Sequence, residues 1–119
     1  MQSQQEHLRN RTKDFAIRVV RVFRTLPYKT DAQILGKQLL RCGTAVAANY
    51  RAACRARSKA EWIAKIGIVV EEADESVFWL EMLSDSDIVP PKKLELILAE
   101  AHELSALFTA SRHTSRGIR

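Results

Sequence analysis

An all-α chain folded as an up-down-up-down antiparallel four-helix bundle is predicted by three features of the sequence. Four stretches carry apolar residues at helical spacing, short punctuated connections separate them, and only four Gly and three Pro occur in 119 residues. So few turn-formers cannot supply the tight turns of a small β protein, and no strand-like alternation, internal repeat or low-complexity tract competes. The length suits one domain, residues 1–119, large enough to bury a core without disulfide or metal support.

The first helix is expected over about residues 11–26. Leu8, Phe15, Val19, Val22 and Leu26 recur at heptad-like intervals, and Pro27 ends the segment. The second is expected over about 31–55, opened by a capping-box pattern of Thr30 with Gln33, with a seam of Leu35, Leu39, Cys42, Val46, Asn49 and Ala53. A second capping box, Ser58 with Glu61, begins a third helix over about 59–84 after a very short connection. Its inner face reads Trp62, Ile66, Val69, Ala73, Val77 and Leu80. The loop Ser84–Pro91 places proline in the first turn of a fourth helix, about 91–112, carrying Leu94, Ile97, Leu98, Ala101, Leu104 and Phe108. The tail from His113 is expected to fray. Short connections between long helices force antiparallel neighbours.

Gly43 opens a run of small residues in mid-helix. Its cost of about 1 kcal/mol against Ala is explained by close helix–helix approach. Asn49 in the seam fits two readings, a polar residue that fixes register or oligomer state, or a plain capped or water-bonded one. Cys42 and Cys54 on one helix stand about 18 Å apart, beyond disulfide reach. They read as thiols in a reducing compartment. The N-terminus MQSQQEHLRNRTKD is polar and apolar runs are short, so neither a signal peptide nor a membrane span is expected and the location is read as cytoplasmic.

The net charge of +5 is unevenly distributed. Residues 1–30 hold seven basic and two acidic side chains, residues 31–60 six and one, residues 61–89 one and eight, and residues 90–119 five and three. The first two helices are therefore basic and the third acidic. One reading has Glu71, Glu72, Asp74, Glu75 and Glu81 offsetting the basic helices within or between subunits. The other has Arg51, Arg55, Arg57 and Lys59 around the second connection, with Arg11, Arg18 and Arg21 on the first helix, meeting the phosphates of RNA or DNA. Aromatic interleaving is thin, so base stacking has little support. Ile68 and Trp79 lie away from the inner face of the third helix, and Val20 and Phe23 widen the stripe of the first. Such surplus apolar surface marks a homo-oligomer interface.

Catalytic patterns are missing. His7, His102 and His113 lack the Glu three residues earlier that an inward di-metal site in a bundle needs, and no Gly-rich phosphate loop, G-x-S-x-G or Cys/His metal spacing occurs. The expectation is a non-enzymatic chain with no metal and no cofactor.

The segment Leu39–Leu83, with Ala47-Ala48-Asn49, the Arg-rich connection Arg51–Lys59 and Glu71-Glu72-Ala73-Asp74-Glu75 followed by Trp79-Leu80, resembles the four-helix-bundle proteins related to the ribosomal RNA intervening-sequence proteins. Leu26-Pro27 fits the same pattern. Where many members continue Ile-Ala-Glu-Gly after the Asn, this chain has Tyr50-Arg51-Ala52-Ala53, the mark of a different branch. The resemblance implies a bacterial protein and a homopentamer. More remotely, it implies kinship with accessory proteins of diversity-generating retroelements, which bind nucleic acid and a reverse transcriptase. The combined expectation is an oligomeric adaptor that binds nucleic acid through a basic surface. The alternative is a protein–protein scaffold or regulator that binds none.

Overall fold

A computed structural model describes residues 2–117, with α1 (Gln4–Arg24), α2 (Thr30–Ala53), α3 (Lys59–Asp85) and α4 (Pro91–Ser115). The helices pack in chain order, α1 on α2, α2 on α3 and α3 on α4; a thinner seam between α1 and α4 closes the ring. Among the described residues the diagonal helices do not approach backbone to backbone and meet only through side chains in the core. The molecule is 44 Å long, close to the ~40 Å of a 27-residue helix such as α3, so each helix runs nearly its full length. This is the expected four-helix bundle.

Helix ends follow local chemistry. α1 begins well before residue 11 because the Ser3 hydroxyl accepts the Glu6 N–H at 3.1 Å. At α2 the expected box does not form. Thr30 is already helical, Lys29 occupies the cap position without a side-chain bond, and Gln33 donates to the Pro27 carbonyl at 3.0 Å. Asp31 in the first turn accepts the Ala32 N–H at 2.8 Å and complements the helix dipole. At α3 the Ser58 hydroxyl accepts the Glu61 N–H at 3.0 Å, and Glu61 reaches back to the N–H of Arg57, one residue before the cap. α3 ends with Asp87 in the left-handed region (φ 60) and with the N–H groups of Ile88 and Val89 both on the Leu83 carbonyl at 3.1 Å. α4 continues to Ser115, past the expected fraying point; Ile118 and Arg119 lie outside the described residues.

The expected seams form the core. Phe15 and Val19, Leu39 and Val46, Ile66, Val69 and Leu80, and Leu104 and Phe108 are all fully buried. At one end Tyr50 packs on Phe108, with ring centroids 5.1 Å apart, and edge-on to Trp62 at 6.4 Å; the Trp62 indole donates to Ser115 at 3.0 Å. Burial, and next a hydrogen bond with Cys54, push the Tyr50 phenol well above its ordinary value. Asn49 donates to the Ala45 carbonyl of its own helix at 2.9 Å, which settles it as locally satisfied. Cys42 and Cys54 are free thiols. Cys42 is buried, and that burial raises its pKa.

Glycine sets the spacing of α1 and α2. A Cβ on Gly43 would lie 2.7 Å from Val19 Cγ2 and 2.8 Å from its Cγ1. One on Gly36, seven residues earlier on the same face, would meet Leu26 and Phe23. Gly43→Ala should therefore destabilise the bundle. Overpacking costs about 1–3 kcal/mol, against which the helix-propensity gain is only about 1 kcal/mol. Denaturant melts of Gly43→Ala, Val19→Ala and the double variant test this. A double variant no better than the sum of the singles would show that the two residues do not compete for space.

Candidate functional site

Alternation of helix direction brings the start of α1, the end of α2, the start of α3 and the end of α4 to one end of the bundle. Basic residues gather there: Arg9 and Lys13 on α1, Arg51 on α2, Arg55 and Arg57 in the connection, and Lys59 and Lys65 on α3. None of these seven is ion-paired among the described residues. Pairing occurs instead at Arg11 and Arg41.

Arg11 donates through Nε and Nη2 to the two oxygens of Glu100, each at 2.8 Å, and lies 2.9 Å from Glu103. The fork geometry ties α1 to α4 across their thin seam. The hydrogen bond to Glu100, then that to Glu103, raises the guanidinium pKa. Arg41 on α2 reaches Glu72 at 3.2 Å and also Glu75, both on α3, and its hydrogen bond with Glu75 raises its pKa in the same sense. Internal compensation of the acidic helix therefore runs through Arg41, within one chain.

Two grooves flank the C-terminal half of α2. One, of about 520 Å³, lies between α1 and α2 and is lined by Arg9, Asn10, Lys13, Thr44, Ala48 and Arg51. The other, of about 540 Å³, lies on the α3 side and is lined by Ala52, Arg55, Arg57, Glu61 and Lys65. The first holds three cations, an amide and a hydroxyl without a carboxylate. The second holds three cations and one carboxylate, Glu61, already engaged as a cap. This arrangement can bind multiple anionic oxygens. Among the described residues, no group of three or more His, Cys, Asp or Glu side chains could hold a metal ion. No helix among the described residues is long and apolar enough to cross a membrane.

The structure divides the residues singled out by sequence. Arg51 lines the first groove, Arg55 and Arg57 the second, and Lys59 is exposed at the start of α3. Arg21 lines a separate hollow with Val22, Thr25, Val89, Lys93 and Leu94 near the other end. It stands about 18 Å along α1 from Arg9. Half-buried Arg18 lies one turn below it, and Arg11 is committed to α4, so these three α1 arginines do not join the unpaired cations of the basic end. Arg9, Asn10, Lys13 and Lys65 are the additions. Arg9 and Lys13 share a face by their i, i+4 spacing, and antiparallel pairing places that face beside residues 44–51.

The apolar candidates also separate. Phe23 and Trp79 are half-buried against the core, and Val20 is half-buried. Ile68 is 38% exposed, and Phe78, which packs edge-on to Trp79 at 4.9 Å, is 50% exposed. With Glu71 and Glu75, Ile68 and Phe78 form one outward stripe of α3 at helical spacing.

The family model described as 23S rRNA-intervening sequence protein matches residues 5–110. A crystal structure of a protein of unknown function from the S23 ribosomal protein family, from Bacteroides thetaiotaomicron, superposes with a TM-score of 0.85 at 29% identity. The match covers 92% of this chain and 98% of that one. No curated protein matches the chain.

The division between paired and unpaired cations has a consequence for stability. Arg11→Ala should destabilise the bundle by about 1–3 kcal/mol, since it strips a half-buried carboxylate of charged hydrogen bonds. Arg51→Ala and Arg57→Ala should each change stability by less than about 0.5 kcal/mol. Equal losses at all three positions in urea melts would contradict this division.

Proposed function

The chain belongs to the 23S rRNA-intervening sequence protein family, and on that premise we propose that it is a non-enzymatic, oligomeric adaptor that binds nucleic acid through the basic end of its bundle. The carrying observation is that the seven cations named at that end have no ion-pair partner among the described residues, while Arg11 is paired with carboxylates of α4 and Arg41 with carboxylates of α3. Charge retained without internal compensation costs self-repulsion, which a polyanion relieves. Phosphates fit because each neutralised one releases condensed counterion, giving affinity without base reading.

Self-assembly rests on α3. Ile68 and Phe78 expose apolar surface beside Glu71, which suits a basic face of a neighbouring copy. The α1 face bearing Ile17 (40% exposed), Val20 and Arg24 is of that kind. Joining two different faces is a heterologous contact, which closes into a ring when the rotation permits. A homopentamer is the assembly proposed. A ring repeats the basic end and adds avidity to weak contacts.

Replacing Arg55, Arg57 and Lys59 together by Gln tests the reading. Binding to RNA or DNA should weaken, with the slope of log K against log salt flattened by about 2–3, while helicity and oligomer size persist. Phe78→Asp should instead dissociate the oligomer and leave the protomer folded. The scaffold alternative predicts no nucleic-acid binding by the wild type even at low salt, and loss of assembly in the triple variant.

A further inference from the structure

We infer that the ligand of the basic end is a nucleic-acid duplex, seated astride the C-terminal half of α2, and not a single strand. The inference rests on the nucleic-acid reading above and narrows it. Its first support is the doubling of the cationic grooves. Arg9, Lys13 and Arg51 line one side of α2, and Arg55, Arg57 and Lys65 the other. Two cation rows separated by one helix, about 10 Å across, match a ligand with two phosphate backbones flanking a groove. A single strand has one backbone and fills one row.

The second support is the surface between the rows. The outward ridge of α2 there is made of Ala45, Ala48 and Ala52, with Ala48 exposed. Methyl groups leave the helix slender enough to approach a groove floor and offer no donor or acceptor to distinguish bases. In an A-form duplex the wide, shallow minor groove would meet this ridge; in a B-form duplex the major groove, about 12 Å wide, admits a helix. Recognition is therefore of shape and backbone.

The third support is the fate of the aromatic rings. Single-strand binders stack bases on exposed aromatic side chains. At this end Tyr50 and Phe108 are fully buried, and the Trp62 indole is tied to Ser115. Tyr28, 98% exposed, lies at the opposite end, in the α1–α2 connection. Trp62 is half-buried, and no fully exposed aromatic ring stands beside either cationic groove among the described residues.

The test measures binding of the full-length protein to an RNA duplex and a DNA duplex of ~20 base pairs, a length comparable to the reach of shape-reading modules. The separated strands, chosen without self-complementarity, are measured at the same salt. At least one duplex should bind about tenfold or more tightly than its own strands, and the tighter duplex identifies which groove α2 enters. Ala48→Gln adds bulk without charge to an exposed helical position. It should reduce duplex binding about tenfold, leave the strands' weak binding unchanged and keep helicity. Strands binding as tightly as duplexes would overturn the duplex inference while leaving the basic end as a polyanion site, as would an Ala48→Gln variant with undiminished duplex affinity. Failure of every nucleic acid to bind at low salt would overturn the broader reading along with it.

Discussion

The contact of Gly43 with Val19, repeated one heptad away where Gly36 meets Phe23 and Leu26, is the constraint on which the rest of the molecule depends. A larger residue at Gly43 would press on the branched Val19 and push α1 away from α2, whereas at Gly36 it would first displace the side chains of Leu26 and Phe23; packed interiors absorb such changes poorly. The close approach runs along the same helix pair whose lower turns carry Arg9 and Lys13 opposite Arg51. Tight apolar packing above therefore holds like charges together below. A wider α1–α2 spacing would relieve that repulsion and dissolve the groove.

The charge pattern becomes intelligible from this arrangement. The acidic third helix does not neutralise the basic helices wholesale. It spends Glu72 and Glu75 on Arg41, while α4 supplies Glu100 and Glu103 to Arg11 across the thin α1–α4 seam. Both pairs act as inter-helix ties. What remains is a bipolar surface: a basic end, and an acidic, partly apolar stripe on α3 through Ile68, Glu71 and Phe78. Separating the two signs on one small bundle lets one region engage a polyanion while another engages a neighbouring copy, so that assembly and ligand binding need not compete for the same side chains.

Most of the fold was legible in the sequence because apolar periodicity is a direct record of burial. Phe15, Val19, Leu39, Val46, Ile66, Val69, Leu80, Leu104 and Phe108 were seam positions by spacing and are fully buried. Gly43 was legible as a point of close approach, whereas Gly36 lacked a surrounding run of small residues to draw notice. The start of α1 was missed because Leu8 alone marks its first two turns as apolar, although Ser3 and Glu6 carried the capping pattern. Thr30 misled because a capping box reads the same whether its Thr precedes the helix or already belongs to it. The site was legible only in part. Charges close in sequence, Arg51 to Lys59, declared themselves, but Arg9, Lys13 and Lys65 join them only through helix pairing. Arg11 looked free until α4 brought two carboxylates to it.

A footprint measures the central claim, that the uncompensated basic end is where this bundle meets its ligand, without altering a side chain. Hydrogen–deuterium exchange of the protein with and without a bound duplex reports which backbone segments the ligand shields. The account predicts protection confined to residues 9–13, 44–57 and 59–65, with the segments carrying Arg18, Arg21 and Phe78 unchanged. Protection centred on Arg18 and Arg21, or on the acidic stripe of α3, with the basic end exchanging as in the free protein, would contradict it.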